Sequence, residues 1–265
     1  MSELPWSRPS FRRTMEMIES VARSRTAGVV LVLAAAVFLS VAWRDADFGV
    51  AASAKPLWLV VAACLYGAAI VALAAVASTP LSIRDLVPVL DAQIFKYVPG
   101  GLPQSAPLLR AGGARLVGRY ALATLVSALA GVLIAAPRNL RIALAMTLTL
   151  VAAFGYQRLG ARRLLRKGAL VAGVALLIAA SGSAVALSLD LDPALAGRAV
   201  AGGWGIGVLA LPVPSGLGVR EAAIALLAGP ELAAVAVLHR LVTFVTDLSL
   251  GVLAVVLRSR FRRSD

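Results

Sequence analysis

A single cysteine in 265 residues excludes an intrachain disulfide and any multi-cysteine metal centre. Cys64 lies in the middle of an apolar run and is expected to be a small packed side chain. A single histidine, together with the lack of any acidic pair facing a nucleophile, argues against hydrolytic or metal-assisted chemistry, so no catalytic residue, metal or cofactor is expected. No nucleotide-binding motif is present either. The glycine-rich run Gly202-Gly203-Trp204-Gly205-Ile206-Gly207 follows no strand and sits inside an apolar segment, where small residues let helices pack closely. Acidic residues are also scarce, 13 against 26 Lys and Arg.

What remains is hydrophobic: 60% of the chain, against roughly 45–50% in soluble domains. Apolar runs of roughly 17–25 residues recur along the sequence, each long enough to cross a hydrocarbon layer about 30 Å thick as a helix. The composition therefore describes an all-α polytopic integral membrane protein. The net charge of +13 would suggest nucleic acid in a soluble protein, but here the basic residues cluster in short loops between apolar runs. That is the pattern of the positive-inside rule, and it also favours anionic lipid head groups.

Residues 1–25 form a basic segment expected in the cytoplasm, residues 26–257 the membrane domain, and residues 258–265 a basic cytoplasmic tail. The run from Thr26 to Trp43 has no convincing cleavage site and is read as a first span rather than a signal peptide. Further spans are expected at 56–79, 116–136, 140–157, 168–189, 195–211 and 231–257, about seven crossings in all. Leu81 to Val98 carries Arg84, Asp85, Pro88, Asp91 and Lys96, which suits an interfacial or re-entrant helix better than a crossing. Counting basic residues in the loops places both termini inside a cytoplasmic (inner) cell membrane.

Two helix breaks stand out. The first contains Pro99, Gly100 and Gly101; the second contains Pro214, Ser215, Gly216 and Gly218 and leads into Arg220 and Glu221. Backbone that leaves the helix at membrane depth needs protein or a hydrated cavity around it, and ionisable residues there usually line a pathway or pair with each other. After the second break, Ser215 to Ala228 makes a helix of only about 20 Å, too short to cross. A short broken helix is expected, starting within the membrane and presenting free N–H groups and a positive dipole end.

Val98-Pro-Gly-Gly-Leu102 and Val213-Pro-Ser-Gly-Leu217 differ at one position of five and indicate an internal repeat. Paired Pro/Gly breaks in corresponding halves point to a transporter site at the repeat interface. Four expected crossings between them predict a parallel repeat.

With Lys96-Tyr97-Val98-Pro99-Gly100-Gly101 and Pro214-Ser215-Gly216-Leu217-Gly218-Val219-Arg220-Glu221, followed by Arg240 in the next helix, the chain resembles the lysylphosphatidylglycerol synthase transmembrane, or flippase-like, family. Ser215 departs from the glycine of that family's second motif. The resemblance covers one family domain, a stand-alone membrane domain without the aminoacyl-transferring domain, so it implies lipid translocation and not synthase activity.

A flippase needs fixed charges that replace the water shell of a head group. Arg220, Arg240 and Arg110 are candidate phosphate partners, since guanidinium binds phosphate bidentately and stays charged. Glu221 could hold an arginine in the empty site, bind a cationic head group or carry a coupling proton. Arg240, Thr243 and Asp247 share one helix face, overlapping that of His239, and such a polar face also suits an interhelical hydrogen-bond cluster. His239 and Asp247 join Glu221 as candidates for proton or ion coupling. Lys96 and Tyr97 could touch head groups, although a snorkelling lysine and an interfacial tyrosine are the plain expectation.

The sequence thus supports a translocase for a phosphate-bearing polar lipid or a polyprenyl-phosphate-linked sugar. Its partners would be membrane lipids, anionic or polyprenyl-phosphate-linked, and a lipid- or glycan-biosynthetic enzyme, with no nucleic acid. Two other readings stay open: a non-transporting scaffold for lipid or glycan biosynthesis, and a membrane-embedded head-group transferase.

Overall fold

The computed structural model describes residues 53–78, 81–97, 102–137, 161–210 and 218–261. The expected spans at 26–43 and 140–157 and the two Pro/Gly breaks themselves, 98–101 and 211–217, lie outside the described residues. The regular elements among the described residues are all helical: α1 (Pro56–Ala77), α2 (Ile83–Phe95), α3 (Leu102–Ala135), α4 (Ala161–Ser188), α5 (Pro193–Leu209), α6 (Val219–Ala228) and α7 (Ala233–Phe261). A turn of 3-10 helix, Pro230–Leu232, joins α6 to α7.

Four of these helices, α1, α3, α4 and α7, are long and apolar enough to cross a membrane. Their outer surfaces remain apolar: Leu57, Leu122, Leu176 and Val252 are exposed. In water such a surface would drive aggregation, whereas in lipid it is the solvent-facing side. The chain is a multi-pass helical membrane protein. Cys64 belongs to the exposed set, contrary to its expected packing.

Local sequence explains the ends. Pro56 and Pro193 stand in the first turns of α1 and α5, where no N–H donor is required. Asp192 caps α5 by accepting from the N–H groups of Ala194 (2.8 Å) and Leu195 (3.2 Å). Ser82 caps α2 through the N–H of Asp85 (3.2 Å). A helix that carries Asp85, Pro88 and Asp91 could not expose itself to lipid along its whole length. It is buried instead between α7 and α3, with Asp91 paired to Arg258 near the end of α7.

Helix direction decides the architecture. The N–H of Lys55 donates to Ser188 O (3.0 Å), Ser181 Oγ to Ala62 O (2.9 Å) and Lys167 Nζ to Val76 O (3.2 Å). These three contacts make α1 and α4 antiparallel along their full length. From the end of α1, α2 runs back until Lys96 reaches Tyr66, halfway along α1 (Nζ to OH 2.8 Å). From the end of α4, α5 runs back in the same way, with Gly182 against Val200 and Gly197 against Ser183.

The expected parallel repeat is therefore corrected. The two breaks are approached from opposite ends of the bundle, so the halves 56–135 and 161–261 are inverted with respect to each other. Charge and hydropathy cannot reveal this, because the direction in which a break is entered depends on which neighbouring helices turn back.

The inverted halves share a layout. In each, a short helix after the Val-Pro-X-Gly-Leu motif ends at a glycine with positive φ, and a long span follows. These glycines are Gly113 (φ +64°), within α3, and Gly229 (φ +86°), after α6. A side chain would be strained at either place. Packing is reciprocal as well: α2 lies on α7, and α5 lies on α3.

α5 was expected to cross at 195–211, and it ends at Leu209 with Ala210 as its C-cap. It meets the second arm of α3 at Gly205–Ala128, and α6 turns back along it, with Ile224 and the Arg220 carbonyl against Gly203 and Leu227 near Gly202. α5 and α6 pack as a hairpin, and Arg220 at the start of α6 is buried within the bundle.

Candidate functional site

Two helix pairs interrupted at the breaks, α2 with the first arm of α3 (the first hairpin) and α5 with α6 (the second), bring the end of α2 and the start of α6 to α7. Asp247 is the middle residue of this 29-residue helix, about 21 Å from either end. It is completely buried and forms an ion pair with Lys96, the residue that ends α2. The Tyr97 hydroxyl donates to the same carboxylate oxygen, Oδ2, at 2.6 Å. Lys96 lies 5.3 Å from the centres of both the Tyr66 and the Tyr97 rings and donates to the Tyr66 hydroxyl. Lys96 is thus enclosed by a carboxylate and two aromatic faces. The plain expectation of a snorkelling lysine and an interfacial tyrosine does not describe this pair.

The second hairpin supplies Arg220 and Glu221 at the start of α6. Gly203 makes this possible, because a Cβ there would meet Ile224 Cγ1 at 2.6 Å and the Arg220 carbonyl at 2.9 Å. Gly205 and Gly202 seat the other side of α5 against Ala128 and Ala135 in the same manner. The glycine run of α5 is a packing surface that fixes the position of Arg220.

Arg220 is buried, and its guanidinium lies 2.5 Å from His239 Nδ1. An arginine can only donate, so Nδ1 accepts; the imidazole is neutral and carries its proton on Nε2. Nε2 faces Ser181 Oγ at 3.1 Å, and that hydroxyl donates onward to Ala62 O. A chain of hydrogen bonds thus runs from α6 through α7 and α4 to α1. It explains why a fully buried histidine is held here: every polar atom of the ring has a partner.

Glu221 has two roles. Its Oε2 accepts from the Gly218 N–H at 2.8 Å, closing the first turn of α6. This occupies an N–H that was expected to be free at the helix start. Its Oε1 lies 3.8 Å from Arg240 Nε and has no hydrogen-bond partner. Arg240 in turn stands over the Tyr97 ring, 5.5 Å from its centre. Arg220, Glu221 and Arg240 therefore meet, and Arg240 links the two hairpins.

Thr243, on the same face, donates to the Arg240 carbonyl at 2.9 Å and is bound within its own helix. Arg110 is exposed on α3, whereas this cluster is buried. The backbone-break residues Pro99, Gly100, Gly101, Pro214, Ser215 and Gly216 lie outside the described residues, while Gly218 is held at φ +78°.

Three participants were not singled out in the sequence. Tyr66 and Ser181 looked like ordinary polar interruptions of apolar runs, and Gln93 donates to Tyr120 OH (3.1 Å) beneath the first hairpin. The available signal was a hydroxyl or amide within an apolar helix, which is weak because such groups are tolerated almost anywhere along a helix.

No group of histidine, cysteine and carboxylate side chains suited to a metal ion occurs among the described residues. The arrangement is that of a multi-pass membrane protein with a cluster of ionisable side chains around the middle of α7. No protein-family model matches the chain, and no curated protein or solved structure matches it.

Proposed function

We propose that the chain translocates a phosphate-bearing polar lipid, or a polyprenyl-phosphate-linked sugar, between membrane leaflets. One observation carries this reading: at mid-bundle, among the described residues, three basic side chains, Lys96, Arg220 and Arg240, face two carboxylates, Glu221 and Asp247. The excess positive charge is costly in an apolar bundle, and an entering anion relieves it. Arginine's planar fork matches a phosphate, and water exclusion strengthens the contact. Lipid chains can stay in the bilayer while the head group exchanges its water for these donors. The motif resemblance to the flippase-like family agrees with this reading.

A scaffold reading has one observation in its favour, since the cluster's members largely satisfy one another and so also tie the helices together. Leaflet movement of labelled lipids in liposomes separates the two. The translocase reading expects head-group-selective movement with anionic or polyprenyl-phosphate lipids that falls about 10- to 100-fold in Arg220→Ala, the loss of one charged contact. Movement that is undiminished in a folded Arg220→Ala variant, or absent from the wild type for every such lipid with and without an ion gradient, refutes it.

A further inference from the structure

The two hairpins enter from opposite ends of the bundle, and each is fastened at its inner end by a different ion pair. We propose that these are the two gates of an alternating-access cycle. The Lys96–Asp247 pair closes the face at which α1 ends and α2 begins, and the Arg240–Glu221 pair closes the face at which α4 ends and α5 begins. The inference rests on the translocation reading for its purpose and on the helix directions for its geometry.

Three features support it. First, inverted halves built around broken helices can exchange conformations, each adopting the packing that the other had, which turns one access path into its mirror image. Second, the two fastenings are unequal. Lys96 is closely paired with Asp247, and Tyr97 adds a 2.6 Å hydrogen bond. Arg240 and Glu221 are 3.8 Å apart, and Glu221 Oε1 has no hydrogen-bond partner. One gate is fastened while the other is slack, as an alternating device requires of each resting state. Third, a buried carboxylate oxygen is left without a hydrogen bond on both sides, Asp247 Oδ1 and Glu221 Oε1. Buried polar atoms seldom stay unsatisfied, so each marks a contact that a second arrangement can complete.

Arg240 joins the gates mechanically. It pairs with Glu221 at the start of α6 and stands over the Tyr97 ring at the inner end of α2, so it touches both fastenings. Only a bistable arrangement of this kind converts local exchange of partners into movement of whole hairpins.

The test uses a thiol reporter between the gates. Thr243 is buried on α7 between Arg240 and Asp247, and its hydroxyl bonds only within its own helix. In a Cys64→Ala background, Thr243→Cys would be labelled in oriented membrane vesicles by a membrane-impermeant maleimide applied from either face. Opening the first gate by Lys96→Met should raise labelling about ten-fold from the face where α2 begins, the change produced by a shift of about 1.4 kcal/mol. Glu221→Gln, which keeps the helix cap but removes the charge, should raise labelling from the opposite face. Asp247→Asn opens the first gate through its other partner and stands in if Lys96→Met does not fold.

Increased labelling from one and the same face in both gate variants overturns the proposal, as does unchanged labelling in folded protein. Labelling does not depend on lipid movement. Opposite-face labelling without lipid movement would keep the gates and refute the lipid substrate; lipid movement with same-face labelling would do the reverse.

Discussion

Removing either partner of the Lys96–Asp247 pair should be far more damaging than removing both. Lys96→Met leaves a completely buried carboxylate that keeps only the Tyr97 hydroxyl, with Oδ1 already unpartnered. Asp247→Leu leaves the Lys96 ammonium, whose side chain is 16% exposed, with two aromatic rings and one hydroxyl. Breaking a buried pair costs about 3–5 kcal/mol, and the aromatic faces return about 1 kcal/mol to the stranded lysine, so the expected losses are about 4 kcal/mol for Lys96→Met and about 3 for Asp247→Leu. The double variant exchanges an ion pair for apolar volume and should lie within about 1 kcal/mol of the wild type or be more stable. Reversible unfolding in mixed micelles, followed by denaturant titration, gives the four stabilities of this cycle. A double variant that loses the sum of the two single losses would refute the view that these charges are held by each other.

Other substitutions probe the rest of the site. His239→Phe should cost about 1–3 kcal/mol, because it removes the acceptor of the buried Arg220 guanidinium while Ser181 keeps its bond to Ala62 O, and it should also depress lipid movement as Arg220→Ala does; movement at the wild-type rate would show that the histidine does not position the arginine. Gly203→Val drives a side chain into Ile224 and the Arg220 carbonyl and should cost about 1–3 kcal/mol, whereas Gly118→Ala meets open space and should leave thermal stability unchanged. Glu221→Ala should lose about 1 kcal/mol more than Glu221→Gln in the same unfolding assay, since only glutamine keeps the cap on Gly218. Arg258→Ala should cost about 1–3 kcal/mol, because the arginine is 42% exposed but its partner Asp91 is buried and loses its donor.

Membrane character follows from apolar run length alone, because the hydrocarbon layer sets how many apolar residues a crossing needs. The start of α1 followed from Pro56, and that 81–98 would not be an ordinary crossing followed from charges that could not face lipid. Arg220, Glu221, Arg240, Lys96 and Tyr97, which meet in the buried cluster, were singled out in the sequence because each sits beside a helix break, on the next helix or at an unfavourable depth. Their partners were not. That Lys96 is held by Asp247, about 150 positions away, and that His239 accepts from Arg220 depend on which helix faces which. Inversion of the two halves escaped for a related reason. Periodicity and charge count record that a segment enters the membrane, whereas only packing decides whether it emerges on the far side or turns back. Glycines at 202, 203 and 205 let α5 and its neighbours approach closely enough for a hairpin to stay inside the bundle. Local chemistry therefore specified the elements and the charged groups; antiparallel contact between α1 and α4 decided the directions from which those groups converge.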